Sequence, residues 1–317
     1  MAESDYVDAC DYEYLSASGT SFHDCLLLGY RTLSGFPFSP FEMESWVIHH
    51  QQEQLPDGSY RITYEYGDAR WLTGLWRSLA GPVYVSDAEG LVRICRDYDK
   101  PGPEAWEIVK LDSQLFGIWG LSDSNVWTWG RADKDDRMFH FDGRAWNPMP
   151  SPGHVSNVRG LASDLLYAVG YDGLMARWDG QGWTPVALPV TGNFTGLFVA
   201  GPDELYATTE DGELWEGTSH GWSKRATGPG ALLDVARYRD EIWVAAGEEG
   251  LLKLKGRTNE LECIKPNLHA KSFDVRGNLL ITTPDRVAQS VDGVAFKSTG
   301  LDGLRKFREP HRPLWLP

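Results

Sequence analysis

Cysteine is scarce in this sequence and follows no pattern. Cys10, Cys25, Cys95 and Cys263 form no CxxC pair, and none lies near clustered histidines, so neither a zinc site nor a redox motif is expected. Reduced thiols in a reducing compartment are the plain reading. The opening run MAESDYVDACDYEY is acidic and lacks an apolar core, so it does not read as a signal peptide. No stretch approaches the roughly 18 consecutive apolar residues that a membrane span needs. The expected location is the cytoplasm, with no membrane partner.

Positive charge is also in short supply. Thirty Lys and Arg face 45 Asp and Glu, for a net charge of −15. Such a balance argues against nucleic acid or anionic lipid as a partner and leaves a basic protein as the natural one. The imbalance is greatest at the start: residues 1–70 hold 12 carboxylates against three arginines, and the first lysine is Lys100. Asp5, Tyr6, Asp8, Asp11, Tyr12 and Tyr14 interleave acid and aromatic side chains there. This segment reads either as a solvated arm or as a strip that docks a basic partner.

Recognisable catalytic patterns are missing too. There is no GxSxG, HExxH, Walker A or dinucleotide-binding GxGxxG. His49 and His50 are adjacent in an expected strand, so they face opposite sides and cannot share a metal. His140 alternates with Phe139 and Phe141 and reads as a sheet-face residue. No catalytic residue, cofactor or metal ligand is therefore assigned. Hydrolysis by a carboxylate pair depends on a separation that sequence does not contain.

What the chain does contain is repetition. Leu161 to Trp183 reads as three strands joined by tight turns at Asp172-Gly173 and Asp179-Gly180. Leu165, Tyr167 and Val169 alternate with smaller residues, the period of a half-buried strand. The strand aromatic recurs as Tyr84, Trp127, Tyr167, Tyr206 and Trp243, with Leu280 in the sixth copy, at steps of 43, 40, 39, 37 and 37 residues. Trp106, Trp146, Trp183, Trp222 and Phe296 recur in phase and open the last strand of a unit. A third marker opens each unit, as in Thr73-Gly74-Leu75, Gly117-Ile118-Trp119, Arg159-Gly160-Leu161, Thr195-Gly196-Leu197, Asp234-Val235 and Phe273-Asp274-Val275.

A period of about 40 with four short strands per unit is the pattern of a β-propeller blade. Over residues 70–300 the chain resembles the WD40-, YVTN- and BNR-like propellers. It lacks the Gly-His and Trp-Asp pair of WD40 repeats. Ser290 to Phe296 is similar to the Asp-box of sialidase-type propellers, one residue short in spacing. The expected fold is all-β, a single closed propeller of four-stranded antiparallel blades spanning 1–317. Residues 71–300 supply six repeats. Leu26–Leu28 and the two segments around Pro56-Asp57-Gly58 supply strands for another blade, which favours seven blades over six. The ring is expected to close by a strand from residues 297–317 completing the N-terminal blade, with the basic, Pro-rich tail 301–317 laid against the acidic start.

The inner hairpin turns carry Glu89, Asp133, Asp135, Asp136, Asp172, Asp211, Glu248 and Glu249, expected around one mouth of the central channel as an acidic docking surface. Asp before Gly also serves turn geometry by itself. Arg131 to Arg137 reads as a turn longer than its counterparts. The expected role is a non-catalytic, protein-binding propeller that is a monomer on its own, in concrete form an immunity or inhibitor protein masking a basic toxin or enzyme. A sialidase-like hydrolase and an assembly scaffold are the alternatives.

Overall fold

The computed structural model describes residues 10–21, 24–33, 44–51, 63–68, 71–96, 106–218, 221–256 and 258–300. These form seven four-stranded antiparallel sheets, each built from four consecutive strands: a seven-bladed β-propeller. Blade 1 holds β1 (Cys10–Ser21), β2 (Asp24–Leu33), β3 (Glu44–Gln51) and β4 (Thr63–Asp68). Blade 2 holds β5 (Leu72–Arg77), β6 (Val83–Asp87), β7 (Leu91–Cys95) and β8 (Trp106–Lys110). Blade 3 follows with β9 (Gln114–Ser122), β10 (Asn125–Ala132), β11 (Asp135–Phe141) and β12 (Trp146–Met149). Blade 4 comprises β13 (Val155–Ala162), β14 (Leu165–Gly170), β15 (Met175–Trp178) and β16 (Trp183–Pro185). In blade 5 these are β17 (Phe194–Gly201), β18 (Glu204–Thr209), β19 (Glu213–Thr218) and β20 (Gly221–Thr227). Blade 6 has β21 (Asp234–Tyr238), β22 (Glu241–Ala245), β23 (Leu251–Leu254) and β24 (Leu261–Lys265). Blade 7 ends with β25 (Ser272–Val275), β26 (Leu279–Thr282), β27 (Arg286–Ser290) and β28 (Lys297–Gly300). The single helical turn among the described residues is Gly247–Glu249, and no described helix is long and apolar enough to cross a membrane.

The apolar side chains do not gather into one core. They form seven clusters, one at each blade-to-blade interface. This corrects the half-buried reading of the second strands: Leu166, Tyr167, Ala168 and Val169 are all buried, because a blade is covered by a neighbour on both faces. The recurring aromatics fill the interfaces. Trp127 of blade 3 meets Trp178 of blade 4 edge-on at 5.5 Å, Tyr84 meets Phe141 across blades 2 and 3 at 6.2 Å, and Trp243 meets Phe296 across blades 6 and 7 at 5.9 Å.

The two expected turn chemistries separate. Asp172 and Gly173 both have positive φ, 55° and 71°, as a primed two-residue turn requires. Asp179 instead acts through its side chain: Oδ1 accepts the N–H groups of Gln181 and Gly182. Asp142 and Asp292 cap their turns in the same way. The Asp-box-like stretch of blade 7 is thus a turn device shared with blades 3 and 4. In all three, the backbone donors hold the carboxyl below its usual pKa.

Ring closure differs from the expectation. β28 pairs with β27 of its own blade, and blade 1 takes all four strands from the N-terminal segment. Blades 1 and 7 therefore share no strand and are joined by packing and polar bonds. Tyr14 N–H donates to Pro284 O (2.9 Å), Gly19 N–H to Asp274 Oδ2 (2.9 Å) and Asn278 Nδ2 to Thr20 O (2.9 Å), while Lys271 pairs with Glu13. A complete blade 1 leaves no gap for a C-terminal strand to fill. The Pro56-Asp57-Gly58 turn and the tail 301–317 lie outside the described residues.

Candidate functional site

A propeller blade places its turns alternately on two faces. The upper face carries the turns between second and third strands and the connections between blades. The lower face carries the turns between first and second and between third and fourth strands. The eight acidic residues read from sequence are on the upper face as expected, and Glu89, Asp133, Asp135, Asp172, Asp211, Glu248 and Glu249 are exposed. Turn and blade connection meet there: Gly173 N–H donates to Gly192 O, Gly228 N–H to Gly212 O and Gly247 N–H to Ala270 O.

None of the eight lines the channel, because their turns begin one strand out from the axis. The expected long turn of blade 3 is a two-residue turn, Asp133-Lys134, on an extended hairpin. Asp135 and Asp136 belong to β11, where Asp135 approaches Arg137 (3.4 Å) and Asp136 approaches Arg131 (3.9 Å). Acidity does not single out this face either. Asp123, Asp164, Asp203 and Asp240 occupy lower-face turns in blades 3 to 6. Of the N-terminal strip, Asp5, Tyr6 and Asp8 lie outside the described residues, and Asp11 and Tyr12 fall on β1. Tyr14 is 4% exposed and packs between blades 1 and 7 with Leu27, Ile48, Leu280 and Val287, so it is core and not a docking residue.

The channel has the opposite character from the surface. It is bounded by the inner strands and has a volume of about 760 Å³. Its ionisable lining is Arg77, Arg159, Lys271 and Arg276 against Asp234 and Asp274, four cations to two carboxylates in a protein of net charge −15. The register to the second strands defines two rungs. One holds Trp76, Trp119, Arg159, Phe198, Ala236 and Asp274, each opposite the recurring strand residue. The other, two positions earlier, holds Gly74, Gly117, Asn157, Gly196, Asp234 and Ser272. Glycine is required where inner strands converge: a Cβ on Gly196 would lie 2.6 Å from Asp234 Cα, and one on Gly74 2.8 Å from Ile118 N.

These rungs correct the alignment of the opening marker. By register to the second strand the counterpart of Gly74 is Asn157 and not Gly160, and Asp274 sits a rung beyond Asp234. Sequence reasoning thus passed over Arg159, whose signal was a lone arginine at an aromatic position.

Most of the channel charge is committed to holding blades together. Asp234 Oδ2 accepts Phe273 N–H of blade 7 and Oδ1 accepts Val235 N–H, each at 2.9 Å. Burial pushes the Asp234 carboxyl up to about 6, against the pull of Arg159 and these two donors. Arg276 Nε lies 3.0 Å from Asp274, and its two Nη donate to Arg77 O (2.5 Å) and Ser18 Oγ (2.9 Å), tying blades 7, 2 and 1. Arg77 bonds Asp24 at 2.6 Å, and Asp24 also faces His49 Nε2 at 3.2 Å. The Asp24 carboxyl is held far below the usual range by His49 first, with Arg77 adding to it.

At the lower mouth the lining turns apolar. Leu79 is 82% and Leu161 44% exposed, with Leu121, Trp119 and Phe198 half-buried behind them. Val291 and Val294 are exposed in a lower-face turn of blade 7. Among the described residues no group of three or more His, Cys, Asp or Glu side chains could hold a metal ion.

No family model matches this chain, and neither does any curated protein. Solved structures do match. The WD40 β-propeller domain of Doa1 superposes with a TM-score of 0.63 at 9% identity, covering 88% of this chain and 92% of that one. YCF48 bound to a D1 peptide gives 0.57 at 15% identity, with 87% and 94% covered. The computationally designed protein Ika8 gives 0.55 at 11%, with 92% and 96% covered. At these identities the likeness is one of fold: the chain is a seven-bladed β-propeller similar in architecture to WD40 and YCF48 propellers.

Proposed function

We propose that this propeller is a protein-recognition module whose partner inserts a segment into the channel from the lower mouth. The observation that carries the reading is the inversion at the channel: a cationic, aromatic-lined cavity opening through exposed Leu79 and Leu161, inside a strongly acidic protein. Exposed apolar side chains around a concave site mark protein contacts on soluble folds. The Doa1 and YCF48 propellers share the scaffold, and YCF48 is solved with a peptide bound.

A second reading keeps the inhibitor role. A basic toxin or enzyme docks on the upper face, where Glu248 and Glu249 double the charge and the blade 3 hairpin outreaches its neighbours. Two variants separate the readings against a partner recovered with the wild-type protein. Leu79→Asp with Leu161→Asp weakens binding at the lower mouth. Asp136→Lys with Glu248→Lys and Glu249→Lys slows association at the upper face. The first reading predicts loss in the first variant alone, and loss in the second alone overturns it.

A further inference from the structure

Arg159 is the channel cation whose charge no blade contact uses up. Its Nη1 donates to Asn157 Oδ1 (2.5 Å) and Val158 O (2.8 Å), which accounts for both hydrogens on that nitrogen. Nε and Nη2 donate to no described residue, and the side chain belongs to the channel lining. The guanidinium lies 5.8 Å from the Trp119 ring centroid and makes no ion pair within 4.0 Å among the described residues. Asp234 and Asp274 act on it only through space. Their oxygens already serve Phe273, Val235, Gly19 and Arg276. Arg276, Arg77 and Lys271 are each held by acceptors of their own.

We propose that Arg159 is a carboxylate-binding subsite, its Nε–Nη2 edge gripping a carboxylate that a partner segment carries into the channel. The proposal rests on the channel reading above and adds the chemistry of the occupant. That edge is the fork that accepts a carboxylate through two parallel hydrogen bonds. Asn157 fixes its direction, accepting from Nη1 at a position where the neighbouring blades 3 and 5, and blade 2, carry glycine. A singly charged carboxylate suits the site better than phosphate, since Asp234 and Asp274 repel a second negative charge at short range. Trp119, Phe198 and Leu161 ask for apolar neighbours on the segment. Lower-face Asp123, Asp164, Asp203 and Asp240 disfavour a segment with many acids and leave one carboxylate as the fitting number.

The test uses the full chain and three acetylated tripeptides. Leu-Leu-Glu amide offers a side-chain carboxylate, Leu-Leu-Leu free acid a terminal one, and Leu-Leu-Gln amide none. Dissociation constants are measured with the Nε–Hε resonance of Arg159 in ¹⁵N-labelled protein, assigned by its loss in Arg159→Lys. At least one carboxylate peptide is expected to bind about tenfold or more tightly than the neutral one, with a saturable shift of that resonance. Arg159→Gln is expected to erase the preference, Arg159→Lys to keep only part of it, and inorganic phosphate to compete poorly. Equal binding of all three peptides, or a preference that survives Arg159→Gln, overturns the subsite. If Arg159→Gln does not fold, the wild-type resonance decides: no saturable shift with either carboxylate peptide overturns it. A partner that needs Leu79 and Leu161 but binds independently of Arg159 would keep protein recognition and remove this subsite alone.

Discussion

Replacing Arg276 with Met tests how the ring is closed. The change keeps an apolar stem of similar reach and deletes a guanidinium that touches three blades. Its side chain is 14% exposed and that of Asp274 16%, so solvent screening is limited. Three charge-assisted bonds are lost, to Asp274, Arg77 O and Ser18 Oγ, and Asp274 is left with Gly19 N–H as its remaining named donor. Breaking a buried pair from one side costs about 3–5 kcal/mol, and a channel-lining pair with access to water falls below that, at about 2–4 kcal/mol. At about 2 °C per kcal/mol for a protein of this size, the melting temperature falls by about 4–8 °C. Urea denaturation gives the free energy, and hydrogen exchange gives its location, with faster exchange expected over 13–20 and 272–278. The exposed pair Lys255–Glu260, at 3.8 Å with side chains 60% and 70% exposed, is the control, and Lys255→Met should change stability by less than about 0.5 kcal/mol. An Arg276→Met variant as stable as that control, or one whose exchange is unchanged at the blade 1–blade 7 seam, would refute the argument that polar bonds replace a shared strand.

Gly196→Ala should destabilise by about 2 kcal/mol or more in a thermal melt, since its Cβ meets the Asp234 backbone, whereas Gly182→Ala, with open space at its Cβ, should be neutral. Stability should respond to pH with two opposite slopes in urea melts. Asp234 is raised to about 6 from 3.8, so the folded state takes up its proton first and stability rises by up to about 3 kcal/mol as pH falls through that window. Asp24, Asp142, Asp179 and Asp292 are depressed, so their contribution is present above the ordinary carboxylate range and is lost as pH falls below it. A steady fall in stability from pH 7 downward would contradict the Asp234 assignment. Removing residues 1–68 deletes blade 1 and bares the apolar faces around Leu72 and Leu280, so size-exclusion chromatography should show aggregation rather than a folded six-bladed monomer.

The blades were legible because their determinants are local. Tyr84, Trp127, Tyr167, Tyr206 and Trp243 recur at one place in the second strand, and Asp172-Gly173 needs only its own backbone preferences to turn. Seven blades followed from strand counting in residues 22–66. The closure did not, because whether a terminal strand joins the first or the last blade depends on which edge is free. The channel was illegible for a related reason. Its charge comes from Arg77 in blade 2, Arg159 in blade 4, and Lys271 and Arg276 on either side of β25 in blade 7, positions far apart in sequence that no repeat marker brings together. Acidic turn residues stand out in a sequence, whereas a cation that faces inward is visible only once the ring is closed.

The central claim is that the partner enters at the lower mouth, and site-directed photo-cross-linking addresses it most directly. A photoreactive residue is placed at Leu161 in one sample and at Glu248 in another, each in an otherwise native chain presented with the same purified partner. Leu161 and Glu248 lie on opposite faces of the ring, and both are exposed. The account predicts a cross-link from Leu161 to one contiguous partner segment, diminished in Arg159→Gln, and none from Glu248. A cross-link from Glu248 with none from Leu161 would contradict it and place the partner on the acidic upper face.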